Sequence, residues 1–207
     1  MRSLDADDPR LARFHAGIYR DAFATQHEPL AVWQRALRGE LPYELRVNLV
    51  EDGDEIVAGI AYERYPISAC GLVTYLVVAP HARGQGIGER LLRAAVGDLD
   101  TAIVLGEVND PRIRGEWSRL RRFQRWGARV IEGRYVQPAL GEGLARDRGL
   151  LLIALAGVQP LDTAIDGVRV RSFIRELYAV TEGGAVDDEV AFADEARLVS
   201  LVDGNAQ

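Results

Sequence analysis

The chain contains no lysine; all 25 of its basic residues are arginine. That absence removes the amine needed for Schiff-base chemistry and the lysine of a P-loop. Cysteine is almost missing as well. Cys70 stands alone, which excludes an intrachain disulfide and fits a reducing compartment. There are three histidines, and His15 and His27 lack the spacing of metal ligands, so no metal site is expected. No apolar run approaches the roughly 20 residues that span a bilayer. The first residues, Met1 to Pro9, are acidic and lack the apolar stretch of a signal peptide. These absences lead us to expect a cytoplasmic protein with no membrane partner.

What is present is ordinary for a globular chain: 207 residues, 48% hydrophobic and 27% charged. The length suits one domain with an extension, here divided at 1–157 and 158–207. A formal net charge of −6 argues against nucleic acid and for a cationic or amine partner.

Hydrophobic periodicity predicts helices over Pro9 to Phe23 and Pro29 to Leu37. From Tyr43 the period becomes two, and Asp52-Gly53 marks a hairpin turn into a strand from Ile56 to Tyr65. Leu72 to Ala79 is a nearly continuous apolar run, the pattern of a strand buried on both faces. A helix from Ile87, a strand over Thr101 to Val108 and a helix over Pro111 to Trp126 follow. Closing strands are expected at Arg129 to Val136 and Leu150 to Ala156, then helices around Val168 to Val180 and Asp188 to Val202. This order predicts an α/β (α+β) fold, a mixed and mostly antiparallel sheet flanked by helices, with a helical C-terminal extension docked on it.

The most informative segment joins the third strand to its helix: Ala79-Pro80-His81-Ala82-Arg83-Gly84-Gln85-Gly86-Ile87-Gly88. Glycines let backbone N–H groups approach a ligand, and a helix start adds free donors and the positive end of a dipole. Such a loop binds a phosphate or pyrophosphate. A Rossmann fingerprint would need a glycine where Glu89 stands, and would not follow three strands. What remains is Arg83-x-x-Gly86-x-Gly88 after a strand ending in Val77-Val78.

Tyr75 to Leu92 resembles the signature motif of the GNAT superfamily of N-acetyltransferases, and the element order over residues 9 to 156 is similar to that family's order. The resemblance implies the acyl-CoA N-acyltransferase fold and acetyl-CoA as acyl donor. It makes Arg83, Gly84, Gln85, Gly86, Ile87 and Gly88 the pyrophosphate cradle. It also lays the pantetheine arm along the backbone of Leu76, Val77 and Val78, with Asn109 as a further contact. The expected activity is acetyl transfer to the amine of a small-molecule acceptor, by direct attack in a ternary complex. No Cys or Ser constellation points to an acyl-enzyme. A homodimer is compatible with this reading, and a non-catalytic acyl-CoA-binding module is the alternative.

The reaction needs a group that takes a proton from the amine. Glu107, at the end of a buried strand, is the first candidate general base and Glu63 the second; each has the alternative of pairing with an arginine. Phe123 falls where the family often places a tyrosine that protonates the thiolate, and a phenyl ring donates no proton. Tyr75 and Tyr135 are substitutes for that role, although core packing accounts for both. Tyr135 and Gln137, in the glycine-bounded segment 135–143, are candidates for shaping the acceptor pocket. Residues 112 to 134 hold eight arginines against two glutamates, read as a solvated helix face rather than a nucleic-acid or 3′-phosphate contact.

Overall fold

The computed structural model of the chain describes residues 3–23, 28–141, 143–156 and 160–202. His27, Glu142 and the expected boundary at 157/158 lie outside them. The chain divides into two compact units, Met1–Pro66 with Gly71–Asp100, and Ile67–Cys70 with Thr101–Gln207.

In the first unit, Asp8 caps the opening helix by accepting the Arg10 N–H at 2.9 Å, and Pro9 occupies the first turn, where its missing N–H costs nothing. The expected single helix is divided. Helix α1 (Pro9–Phe14) passes through a π-turn at His15–Tyr19, with Gly17 in a non-helical conformation, into α2 (Arg20–Ala22). Helix α3 (Leu30–Leu37) starts after Pro29 and stops at Gly39, whose φ of +72° suits glycine. Strands β1 (Glu44–Asp52) and β2 (Glu55–Tyr65) form the hairpin legible at Asp52-Gly53, antiparallel with Leu49 opposite Gly59. Strand β3 (Cys70–Val78) completes the order β1-β2-β3.

Gly59 is where the helical layer meets this sheet. A Cβ there would fall 2.4 Å from the Phe14 ring, so only glycine admits it. Phe14, Tyr19 and Trp33 are buried against one another, and Tyr19 lies edge-on to Tyr75 at 4.9 Å. Burying side chains of this size contributes about 1.5–3 kcal/mol each. Helix α4 (Ile87–Leu99) buries Ile87, Leu91, Leu92 and Ala95 as their spacing predicts, buries Leu99 where Val96 is expected, and packs on β2.

The second unit carries β4 (Ile103–Asn109), α5 (Pro111–Arg114), α6 (Ser118–Arg125), β5 (Arg129–Ile131), β6 (Leu150–Ala154), β7 (Ala164–Asp166), α7 (Gly167–Thr181) and β8 (Glu195–Val199). Its strand order is β4-β6-β5-β8-β7, with every neighbouring pair antiparallel. The helix expected over 111–126 breaks at Gly115, where φ is +73°, and Ile113 is exposed instead of sharing a stripe with buried Leu120. The helix expected at 188–202 is corrected to strand β8, because Glu195-Ala196-Arg197-Leu198 alternates and finds strand partners on both sides. Helix α7 does form. Its buried Glu176 accepts the N–H groups of Ile67 and Ser68 at 3.0 and 2.9 Å and the Ser68 hydroxyl at 2.8 Å, pinning the turn at 67–70. Among the described residues no helix is long and apolar enough to cross a membrane.

Candidate active site

The glycine loop takes the form its sequence requires. After β3, a short 3₁₀ turn at Pro80–Ala82 leads to extended Arg83, and Gly84 and Gly86 adopt φ of +83° and +71°. These angles belong to the left-handed region, where a Cβ costs roughly 1–2 kcal/mol. Gly86 is the residue before α4, and no side chain caps that helix. Its first-turn N–H groups therefore have no side-chain acceptor and stand at the positive end of a 13-residue dipole. Two arginines brace the loop, Arg90 donating to the Gln85 carbonyl at 2.9 Å and Arg83 to the Val78 carbonyl at 3.1 Å. Leu76 and Val78 stay partly exposed while Val77 is buried. The donors, the open glycine backbone and the helix start fit a pyrophosphate.

Glu107 lies in the second unit, on β4 opposite Leu152 of β6. Tyr135 donates its hydroxyl hydrogen to Oε1 of Glu107, and Gln137 Nε2 donates to Oε2 at 2.7 Å. Burial pushes the carboxyl above its ordinary value; the two hydrogen bonds oppose that shift, and the charge of Asp147 adds to it. Burial likewise drives the Tyr135 phenol well above its usual range, and the neighbouring carboxylate drives it further. The segment that delivers Tyr135 and Gln137 is tied down in turn. Gln137 and Asp147 exchange backbone hydrogen bonds at 2.9 and 3.0 Å, and Arg114 holds the Asp147 carboxylate at 2.7 Å. The Tyr178 hydroxyl donates to the Val136 carbonyl at 2.9 Å. Asn109 ends β4, two residues beyond Glu107 and opposite Leu150.

Glu63 lies in the first unit, almost fully buried on β2, and accepts the Tyr65 hydroxyl at 2.7 Å. Tyr43 stacks on Tyr65 with centroids 5.6 Å apart. A further carboxylate in that unit escaped sequence reasoning. Glu28 accepts the Trp33 indole N–H at 2.9 Å, and its backbone N–H donates to the Tyr19 hydroxyl. Burial raises its pKa, and the Trp33 bond opposes the rise. Nothing in the local pattern distinguishes Glu28 from any loop glutamate. Tyr75 packs among Tyr19, Phe23 and Trp33, in the core role that its strand position suggested. Phe123 rests edge-on against Trp126, so packing accounts for it. Among the described residues no group of three His, Cys, Asp or Glu side chains is placed to hold a metal.

The model of the acetyltransferase (GNAT) family matches residues 10–113, half of the chain. This chain belongs to the GNAT acetyltransferase family. A search of curated protein sequences finds no match. Among solved structures, it is similar to a protein from Bacteroides thetaiotaomicron assigned to the GNAT acetyltransferases, with a TM-score of 0.67 and 20% identity over 89% of this chain and 98% of that one. It is also similar to an aminoglycoside 6′-N-acetyltransferase solved with coenzyme A, with a TM-score of 0.52 and 16% identity over 77% and 98%. At these identities the structures establish the fold of this GNAT protein. Its α+β class, with mostly antiparallel strands and flanking helices in the acyl-CoA N-acyltransferase fold, is the one expected from sequence. The family match covers the glycine loop and Glu107; Tyr135 and Gln137 lie beyond it.

Proposed function

We propose that this GNAT protein is an N-acetyltransferase that takes an acetyl group from acetyl-CoA and passes it directly to the amine of a small molecule. The observation that carries the reading is Glu107, a desolvated carboxyl whose two oxygens are each held by a donor from one tethered segment. A carboxyl raised above its ordinary value suits a general base, since it then binds a proton more readily. Tyr135 and Gln137 fix its direction. The donor belongs to the first unit, where the N–H groups of Arg83 to Gly88 and the start of α4 take the pyrophosphate. The backbone of Leu76 to Val78 pairs with the amides of the pantetheine arm. Asn109 supplies a further polar contact to that arm.

With Glu107 as base, the proton leaves the acceptor nitrogen for a carboxylate oxygen as the nitrogen attacks the thioester carbon, and the thiolate departs with the electron pair. The aminoglycoside enzyme and its coenzyme A complex support an acyl-CoA donor and an amine acceptor here. Glu63 stands second for the same role, already engaged by Tyr65. A free, buried Cys70 supports a cytoplasmic enzyme. We read 158–207 as an extension of the acetyltransferase domain; its described residues carry β7, α7 and β8.

The test is a panel of amines offered with acetyl-CoA while free thiol is measured. Release of thiol that requires both an amine and Glu107 supports the reading. Calorimetric binding of acetyl-CoA with no thiol release under any amine would favour a non-catalytic acyl-CoA-binding module. Failure to bind acetyl-CoA would remove both.

A further inference from the structure

The eight arginines between 112 and 134 do not form one solvated face. Arg112, Arg114 and Arg134 each pair with a carboxylate, from Asp110, Asp147 and Glu189 respectively. Arg129 donates to the Ser200 hydroxyl. The other four stand on α6, and among the described residues Arg122 and Arg125 have no acidic partner. Ser118, Arg121, Arg122 and Arg125 lie at positions i, i+3, i+4 and i+7 and share one side of the helix. Like charges three apart, as at Arg122 and Arg125, weaken a helix, so this pair is a local cost that needs a reason.

That side of α6 faces the segment 200–202 across a groove of ≈ 590 Å³, with no carboxylate among the described residues that line it. The groove is built rather than accidental. Gln124 Nε2 donates to the Leu201 carbonyl at 3.1 Å, and the bond from Arg129 to Ser200 fixes the opposite wall. Its size falls in the range of small-ligand sites, roughly 300–1,000 Å³. Guanidinium groups present planar forks that match phosphate oxygens two at a time. Hydroxyls of Ser118 and Ser200 line the same groove, and Val202, 79% exposed, gives it an apolar shoulder.

We propose that this groove is a second anion site, taking a small polyphosphate-bearing ligand of about nucleotide size, separate from the glycine loop. The overall charge of −6 argues for a small anion over nucleic acid. A long polyanion would meet repulsion outside the patch, whereas a short one lies within the roughly 10 Å over which the arginines act at moderate salt.

Calorimetry with sodium tripolyphosphate, on the full chain with acetyl-CoA in excess and again without it, tests the proposal. The expected result is saturable one-to-one binding in both conditions, weakened about tenfold or more by Arg122→Ser with Arg125→Ser. Arg122→Lys, which keeps the charge and loses the fork, falls between. Arg119→Ser, on the same helix but outside the groove, leaves binding unchanged. Unaltered melting temperatures keep a loss of fold apart from a loss of binding. The proposal is overturned if tripolyphosphate does not bind at millimolar concentration, or if the double variant binds as well as the wild type. Displacement by acetyl-CoA would assign the anion to the glycine loop. Tighter binding of a 20-nucleotide single strand, with a steep salt dependence, would assign the patch to nucleic acid and overturn it equally. None of these outcomes depends on acetyl transfer.

Discussion

Tyr135 donates its hydroxyl hydrogen to Glu107 across 28 residues of sequence, and Gln137, two residues further on, holds the other carboxylate oxygen. The irregular segment after β5 thus sets the direction and the proton affinity of a β4 side chain. As the proposed base, Glu107 must be ionised to work. Both hydrogen bonds favour its charged form, so Tyr135→Phe raises its pKa further. The acid limb of kcat/KM then moves to higher pH, while the plateau rate changes less. Glu107→Gln removes the base and is expected to lower kcat by about 10²–10⁴-fold with KM for acetyl-CoA unchanged. An unmoved pH profile in Tyr135→Phe would make the pair a packing contact only.

The glycine loop is tested at Gly86. With φ at +71° and a Cβ position 3.3 Å from the Arg90 guanidinium, alanine there is strained by roughly 1–2 kcal/mol. Gly86→Ala is expected to raise KM for acetyl-CoA about tenfold, with kcat at saturation nearly retained. Gly97, within α4 and with open space around it, is the control. Gly97→Ala should leave KM alone and stabilise the protein by about 0.5–1 kcal/mol in urea unfolding.

Gly59 supports the aromatic layer of the first unit. An added methyl would lie 2.4 Å from Phe14 and 2.9 Å from Leu49, both against close-packed neighbours. Gly59→Ala is expected to cost about 1–3 kcal/mol, read from the shift of the denaturation midpoint. A variant as stable as the parent would mean that Phe14 rotates freely aside.

Asp110 caps α5, accepting the Arg112 backbone N–H at 2.9 Å and pairing with its guanidinium at 2.7 Å. Burial alone would raise its pKa, but the bonds and charge from Arg112 prevail and lower it. The stability it adds is therefore complete above the ordinary aspartate value of about 4 and is lost as pH falls through the lower folded value. Asp110→Asn should flatten the acid side of the stability curve. Asp110→Ala should cost about 1 kcal/mol at neutral pH. Parallel acid curves for Asp110→Asn and wild type would discount the ion pair.

Legibility in the sequence followed the range of the forces involved. The β1–β2 hairpin was readable because its register depends on a local turn and a period of two. Helix α4 was readable because a glycine precedes a clean stripe of Ile87, Leu91, Leu92 and Ala95. The segment 188–202 misled because its apolar residues serve helical spacing as well as alternation, and distant partners in β5 and β7 decide between them. At the site, Glu107 stood out as a carboxylate ending an apolar strand. Tyr135 and Gln137 could be named, but not joined to it, since their segment has no period and their contact spans about 30 residues. Glu28 had no signal at all.

Strand β8 is inserted between β5 and β7, hydrogen-bonded on both sides. During synthesis, β5 is therefore made some sixty residues before the strand that covers its outer side, measured from Ile131 to Glu195. Until then it presents bare backbone donors and acceptors, the template on which chains pair with one another. Removing the residues from Glu195 onward would trim no appendage. It would leave that template permanently open, and the expected symptom is aggregation of nascent chains rather than a purified enzyme with altered kinetics.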